Sequence, residues 1–96
     1  MIVLVSYDVS TLTKEGRRRL RRAARVCKDF GKRVQYSVFE CSVTDTELVK
    51  LRAKLLDVID EDEDSLRLYR LTDDAAARTE HHGVREPMDL DGPLVV

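Results

Sequence analysis

Three features of the sequence predict an α+β domain in which two helices cover one face of a four-stranded sheet. The first is Ile2–Val5, an unbroken β-branched and aliphatic run closed by Tyr7 and Asp8. A run without polar alternation reads as a central strand buried on both faces. The second is a pair of apolar stripes at helical spacing, Leu20, Ala23, Ala24, Cys27 and Phe30, then Leu48, Leu51, Leu55 and Ile59. The third is β patterning between and after those helices, over Lys32–Val43 and Ser65–Leu71.

At 96 residues, the chain reads as a single domain over positions 1–96. Charged residues make up 36% and hydrophobic residues 43%, as in an ordinary globular domain. No segment approaches the roughly 18 apolar residues needed to span a membrane. The N-terminal residues do not have the layout of a signal peptide, so a cytoplasmic protein is expected. Cys27 and Cys41 lack metal-ligand neighbours at useful spacing and read as reduced, buried small hydrophobes. The net charge of −1 hides an asymmetry: residues 1–33 carry +7 and residues 34–96 carry −8. So large a split points to one face suited to a polyanion.

In chain order, Thr13 is the expected N-cap of a first helix from about Lys14 to Phe30, with Gly31 as a left-handed C-terminal cap. Its outer face holds Arg17, Arg18, Arg21, Arg22, Arg25 and Lys28. Like charges four residues apart weaken an isolated helix, so this face is expected to meet phosphates; a solvated face is the alternative. The parity change near Tyr36–Ser37 divides Lys32–Val43 into two short strands. Thr44 and Glu47 form a capping box for a second helix that ends near Asp60. The acidic run Asp60–Asp64 lacks the layout of a calcium loop and is expected to be a solvated turn. Ser65–Leu71 is the next strand, with Leu66 and Leu68 on one side and Tyr69 and Leu71 on the other. Thr72–Pro87 is polar and irregular, and Thr79–His82 could form a short extended piece. A final β-like segment, Pro93–Val96, would fray unless docked.

The order β-α-β-β-α-β plus a terminal strand is the split βαβ pattern of the ferredoxin-like fold. Right-handed crossovers put both helices on one sheet face, which leaves the other without cover. Isologous pairing of two such faces is the simplest remedy, and the strand at 93–96 could add to the partner's sheet edge. Pairing also matters for Asp8, a carboxylate at the end of the central strand. One carboxylate is a poor Mg²⁺ site, whereas two across a two-fold axis, with waters and phosphate oxygens, are adequate. Capping the next turn or pairing with an arginine are the alternatives for Asp8.

Tyr7-Asp8-Val9, the Arg-rich first helix, the stretch Gly31-Lys32-Arg33-Val34-Gln35-Tyr36-Ser37-Val38-Phe39-Glu40 and Asp64–Leu71 together resemble one family. It is the Cas-two family of CRISPR-associated proteins, the small subunit of spacer acquisition. Gln35–Glu40 is the most specific part, and Glu80-His81-His82-Gly83 looks like the type I-C subgroup. The resemblance implies a ferredoxin-like homodimer with facing sheets, whose last strand reaches over the partner. It implies a role in CRISPR adaptation, in which the dimer bridges the CRISPR integrase and holds double-stranded DNA. It also implies a Mg²⁺-dependent endonuclease acting on single-stranded RNA or double-stranded DNA.

On that resemblance Asp8 is the metal ligand and catalytic residue, with one Mg²⁺ shared by two copies. Tyr7 is its supporting aromatic, although it reads equally as a core residue with a wet tip. Phe39 lies in the matching strand motif. Arg17, Arg18, Arg19, Arg21, Arg22 and Arg33 are carried over as a nucleic-acid-binding group. His81 and His82, being adjacent, cannot share one pocket from a strand and are expected to have a structural or surface role. The alternatives in function are a scaffold that grips duplex DNA without cutting it, and a ferredoxin-like regulatory or RNA-binding domain.

Overall fold

A computed structural model describes residues 1–84. The elements are β1 (Ile2–Asp8), α1 (Lys14–Lys28), β2 (Gly31–Gln35), β3 (Val38–Ser42), α2 (Asp45–Val58), β4 (Ser65–Leu71) and α3 (Ala75–Arg78). The sheet is antiparallel in the order β2-β3-β1-β4, which sets β1 in the middle. This is the ferredoxin-like arrangement. The expected strand at Pro93–Val96, and its docking on a partner, lie outside the described residues. Thr79–His82 forms no strand, and the short α3 precedes it. His81 and His82 are both exposed. No helix among the described residues is long and apolar enough to cross a membrane.

Paired residues on antiparallel strands point to the same side of a sheet, and the register therefore defines two faces. Val3, Val5 and Tyr7 of β1 share a face with Phe39, Cys41, Leu66 and Leu68. Both helices pack there. Ala23, Ala24 and Cys27 of α1, with Leu48, Leu51, Leu55 and Val58 of α2, join these strand residues in one buried cluster. The other face carries Ile2, Leu4, Ser6 and Asp8, flanked by Val38 and Glu40 on β3 and by Ser65, Arg67 and Tyr69 on β4. On this face Ile2 and Leu4 are half-buried in the single chain; it is the face that the order of elements leaves without helices. The chain has spent both helices on the opposite face, and Tyr69 remains 42% exposed.

Local signals explain the helices. Thr13 caps α1 by accepting from Gly16 N at 3.0 Å. In α2 the capping box is complete, with Glu47 N donating to Thr44 Oγ1 at 3.1 Å and Thr44 N donating to Glu47 Oε1 at 3.0 Å. The Thr44 N–H holds the Glu47 carboxyl below its ordinary range. α1 stops at Lys28, short of Phe30, with Asp29 as a right-handed C-cap. Gly31 is no left-handed cap; among the described residues Gly83 is the glycine with positive φ. Gly31 opens β2, where a Cβ would sit 2.1 Å from the Glu40 carbonyl oxygen and 2.7 Å from Cys41 Cα. Glycine is there for close backbone approach. β2 and β3 are divided at Tyr36–Ser37, with a register shift between Arg33 and Gln35. Burial pushes the Cys27 thiol up to about 12, helped by neighbouring Cys41, and the Cys41 thiol up to about 11. Both are free and buried.

The acidic run holds the largest departure from expectation. Asp64 is not solvated: its side chain has no exposed surface. It accepts from Ser10 N at 3.0 Å, Asp60 N at 2.9 Å and Arg19 Nε at 2.8 Å. Burial alone would push this carboxyl up, but the bonds from Arg19, Asp60 and Ser10, with the Arg19 charge, hold it below its ordinary range. One buried carboxylate thus ties together the loop after β1, helix α1 and the corner before β4.

Candidate nucleic-acid and metal site

Asp8 closes β1 opposite Ser65 and is exposed. Among the described residues its carboxylate makes no side-chain hydrogen bond and no ion pair, so neither alternative role, a cap or an arginine partner, is taken up. Its face is the one without helices. The carboxylate is therefore available to a ligand.

Three other expected site residues come together, but on the far side of the sheet. Tyr7 is 4% exposed and Phe39 fully buried, with ring centroids 6.2 Å apart at 21°. The Arg33 guanidinium lies 5.1 Å from the Phe39 ring centre. Tyr7 Oη donates to the Tyr36 carbonyl at 3.3 Å, and Tyr7 N donates to Ser37 O at 3.1 Å. This stack fixes β1 against the β2–β3 turn. It does not reach the Asp8 carboxylate, because neighbouring residues of a strand point to opposite faces. The pairing of Tyr7 with Asp8 as one catalytic unit is thus not what the single chain shows.

The arginines of α1 divide into two groups. Arg17, Arg18, Arg21 and Arg22 are exposed, as is Arg25; Arg17 Nη1 also donates to Thr11 O at 3.1 Å. Arg19 is different. Its side chain is 14% exposed and paired with Asp64 at 2.8 Å and Glu63 at 3.1 Å, and its bond to Asp64 raises its proton affinity further. Arg19 is a structural cation, not a member of a free phosphate-binding face. The remaining five form a basic surface in the helix layer, separated by the sheet from the side to which Asp8 points.

For Mg²⁺ the donor set of one chain is thin. No group of three or more His, Cys, Asp or Glu among the described residues could hold an ion. A single exposed carboxylate fits Mg²⁺ only if waters, a phosphate or a second carboxylate complete its shell. The register also brings Ser6, Ser65 and Arg67 to the same side as Asp8. The alternation of Ser65–Leu71 gave the parity of Arg67, but only the pairing of β4 with β1 places it beside Asp8.

The comparisons with known proteins agree with this geometry. The sequence profile described as CRISPR associated protein Cas2 matches residues 1–79. A protein of Chlorobaculum tepidum named CRISPR-associated endoribonuclease Cas2 is 54% identical over 96 residues, the full length of both chains. A Halalkalibacterium halodurans protein named CRISPR-associated endonuclease Cas2 is 46% identical over 95 residues, 99% of each chain. Among solved structures, Streptococcus pyogenes Cas2 superposes with a TM-score of 0.79 at 52% identity, covering 86% of this chain and 100% of that one. A profile over most of the chain, relatives matched end to end and a shared fold leave one conclusion: this chain belongs to the Cas2 family of CRISPR-associated proteins.

Proposed function

We propose that the chain acts as a homodimeric, Mg²⁺-dependent endonuclease of CRISPR adaptation, cutting RNA or double-stranded DNA at a site built on Asp8. The observation that carries this reading is the position of Asp8: an exposed carboxylate without a partner among the described residues, at the end of the central strand, on the face that lacks helices. Two copies closing on that face cover Leu4 and Ile2 and bring two Asp8 side chains together. A Mg²⁺ held by them with water and phosphate oxygens supplies charge stabilisation and an activated water for phosphodiester hydrolysis. The chain's own part is to hold those carboxylates on a rigid strand, pinned by β3 on one side and β4 on the other. The names of the relatives, endoribonuclease and endonuclease, support the class of reaction. The test is cleavage of single-stranded RNA and of duplex DNA by purified protein. Cleavage is expected to need Mg²⁺ and Asp8, and cleavage that persists in the Asp8→Ala protein would refute it.

A second reading, a scaffold that grips duplex DNA beside the CRISPR integrase, draws on a different observation: the exposed Arg17, Arg18, Arg21 and Arg22. These are sequence-blind phosphate contacts. Replacing the four with alanine is expected to flatten the dependence of duplex affinity on salt, by up to about 0.9 in log–log slope for each phosphate that is no longer neutralised. A titration in KCl measures this, and an unchanged slope would mean that the basic face is merely solvated. Arg19 is left out of that set because its loss would unfold the corner at Asp64.

A further inference from the structure

We propose that Arg67, braced by Tyr69, is the phosphate-binding residue of the Asp8 site. This rests on the reading of Asp8 given above and supplies what that reading lacks, a cation on the same face. Arg67 pairs with Ser6 and Asp8 with Ser65. Arg67 is therefore the diagonal neighbour of Asp8 on the adjoining strand. Such neighbours lie about 7–8 Å apart, within reach of a long side chain.

The other strand cations are poorly placed. Arg33 stacks over Phe39 on the helix side, and Arg70, opposite Val3, faces that side too. Lys32 is on the open face but on β2, two strands from β1, and it is 3.8 Å from Glu40. In the single chain Arg67 is exposed, and its Nη1 donates to Tyr69 Oη at 3.0 Å. That partner is neutral, so the guanidinium keeps its charge for an incoming anion. Arg19, by contrast, is neutralised by two carboxylates.

Arg67 and Asp8 stand side by side with opposite charges, yet no ion pair closes between them among the described residues. A phosphodiester fits between such groups: the guanidinium takes non-bridging oxygens through its planar fork, and the carboxylate serves the ion on the other side. The Tyr69 hydroxyl restricts the arginine rotamers, which lowers the entropy lost on binding. The ligand class is any phosphodiester backbone, single- or double-stranded, without base preference.

The experiment compares wild type with Arg67→Ala, Arg67→Lys, Tyr69→Phe and Asp8→Ala. Affinity for a short single-stranded RNA and a DNA duplex is measured by fluorescence anisotropy in EDTA across a salt series. Cleavage kcat and KM are measured with Mg²⁺, and sedimentation checks the pair. Arg67→Ala is expected to weaken low-salt binding about tenfold and to flatten the salt slope by about 0.7–0.9 per chain. Arg67→Lys is expected to keep the slope and raise KM severalfold, since it keeps the charge and loses the fork. Tyr69→Phe is expected to raise KM with the slope unchanged. An Arg67→Ala pair with wild-type affinity and slope overturns the proposal. If Arg67→Ala dissociates the pair, an intact Arg67→Lys pair with wild-type KM overturns it instead. Cleavage surviving in Asp8→Ala refutes the Asp8 reading alone, because the slope change at Arg67 is read without metal.

Discussion

Replacing Asp8 with alanine is expected to lower Mg²⁺-dependent cleavage at least about a thousandfold, a loss of roughly 4 kcal/mol in transition-state stabilisation. Stability and nucleic-acid affinity should stay near those of the wild type. The separation follows from the side chain's surroundings. Asp8 is exposed and makes no side-chain bond among the described residues, and a surface substitution of that kind usually changes stability by no more than about 0.5 kcal/mol. The backbone pairing with Ser65 survives any side chain. Thermal melting, sedimentation and cleavage of the same preparation provide the measurement. If highly purified Asp8→Ala protein still cuts, the chemistry lies elsewhere in the chain or outside it. If it stops cutting only because it no longer pairs, Asp8 is an interface residue first.

Asp64→Ala is expected to have the opposite profile, a large loss of stability from a residue remote from the open face. The carboxylate is fully buried and bonded to Arg19, Ser10 N and Asp60 N. Removing it strands two backbone donors and leaves the Arg19 guanidinium with Glu63 alone. Breaking such a pair from one side costs about 3 kcal/mol, equivalent in a domain of this size to a fall in Tm of roughly 10–20 °C. A pH dependence accompanies it. The folded Asp64 carboxyl gives up its proton more readily than in the unfolded chain, where the ordinary value is 3.8. Its contribution is therefore complete above about pH 4 and disappears as the pH falls through the lower folded value. Urea unfolding at neutral pH and near pH 3 should show a wide gap between wild type and variant that narrows in acid. A variant with the wild-type melting curve would mean that this corner is as solvated as its composition suggests.

The contrast between these two acids shows where the sequence was legible. Helical spacing located both helices, Thr44 and Glu47 announced their capping box, and the order of elements led to the ferredoxin-like sheet. The exposed position of Asp8 was legible for a simple reason: a lone acid closing an apolar strand does not enter a core. Asp64 was hidden because any of the five acids in its run could have turned inward. The choice depends on Arg19 and Ser10, 45 and 54 residues away. The same distance hid the double life of the arginines, since composition alone cannot separate Arg19 from Arg18. The unbroken run Ile2–Val5 concealed the parity of β1, although alternation alone already sets Tyr7 on the face opposite Asp8. Arg67 needed both the parity of β4 and its register against β1. Gly31 looked like a helix cap because it follows a helix, but the backbone that excludes a Cβ belongs to β3.

The distance between the two Asp8 carboxylates in the assembled pair is the most direct measure of whether the open faces meet and share an ion. It is best taken from crystals grown with Mg²⁺ or with Mn²⁺ as an anomalous substitute. Oxygen atoms from both copies are expected within about 2.1 Å of one ion, hence no more than about 4 Å from each other. A chain that stays monomeric at micromolar concentration, or a pair that holds these carboxylates tens of ångströms apart, contradicts the shared site.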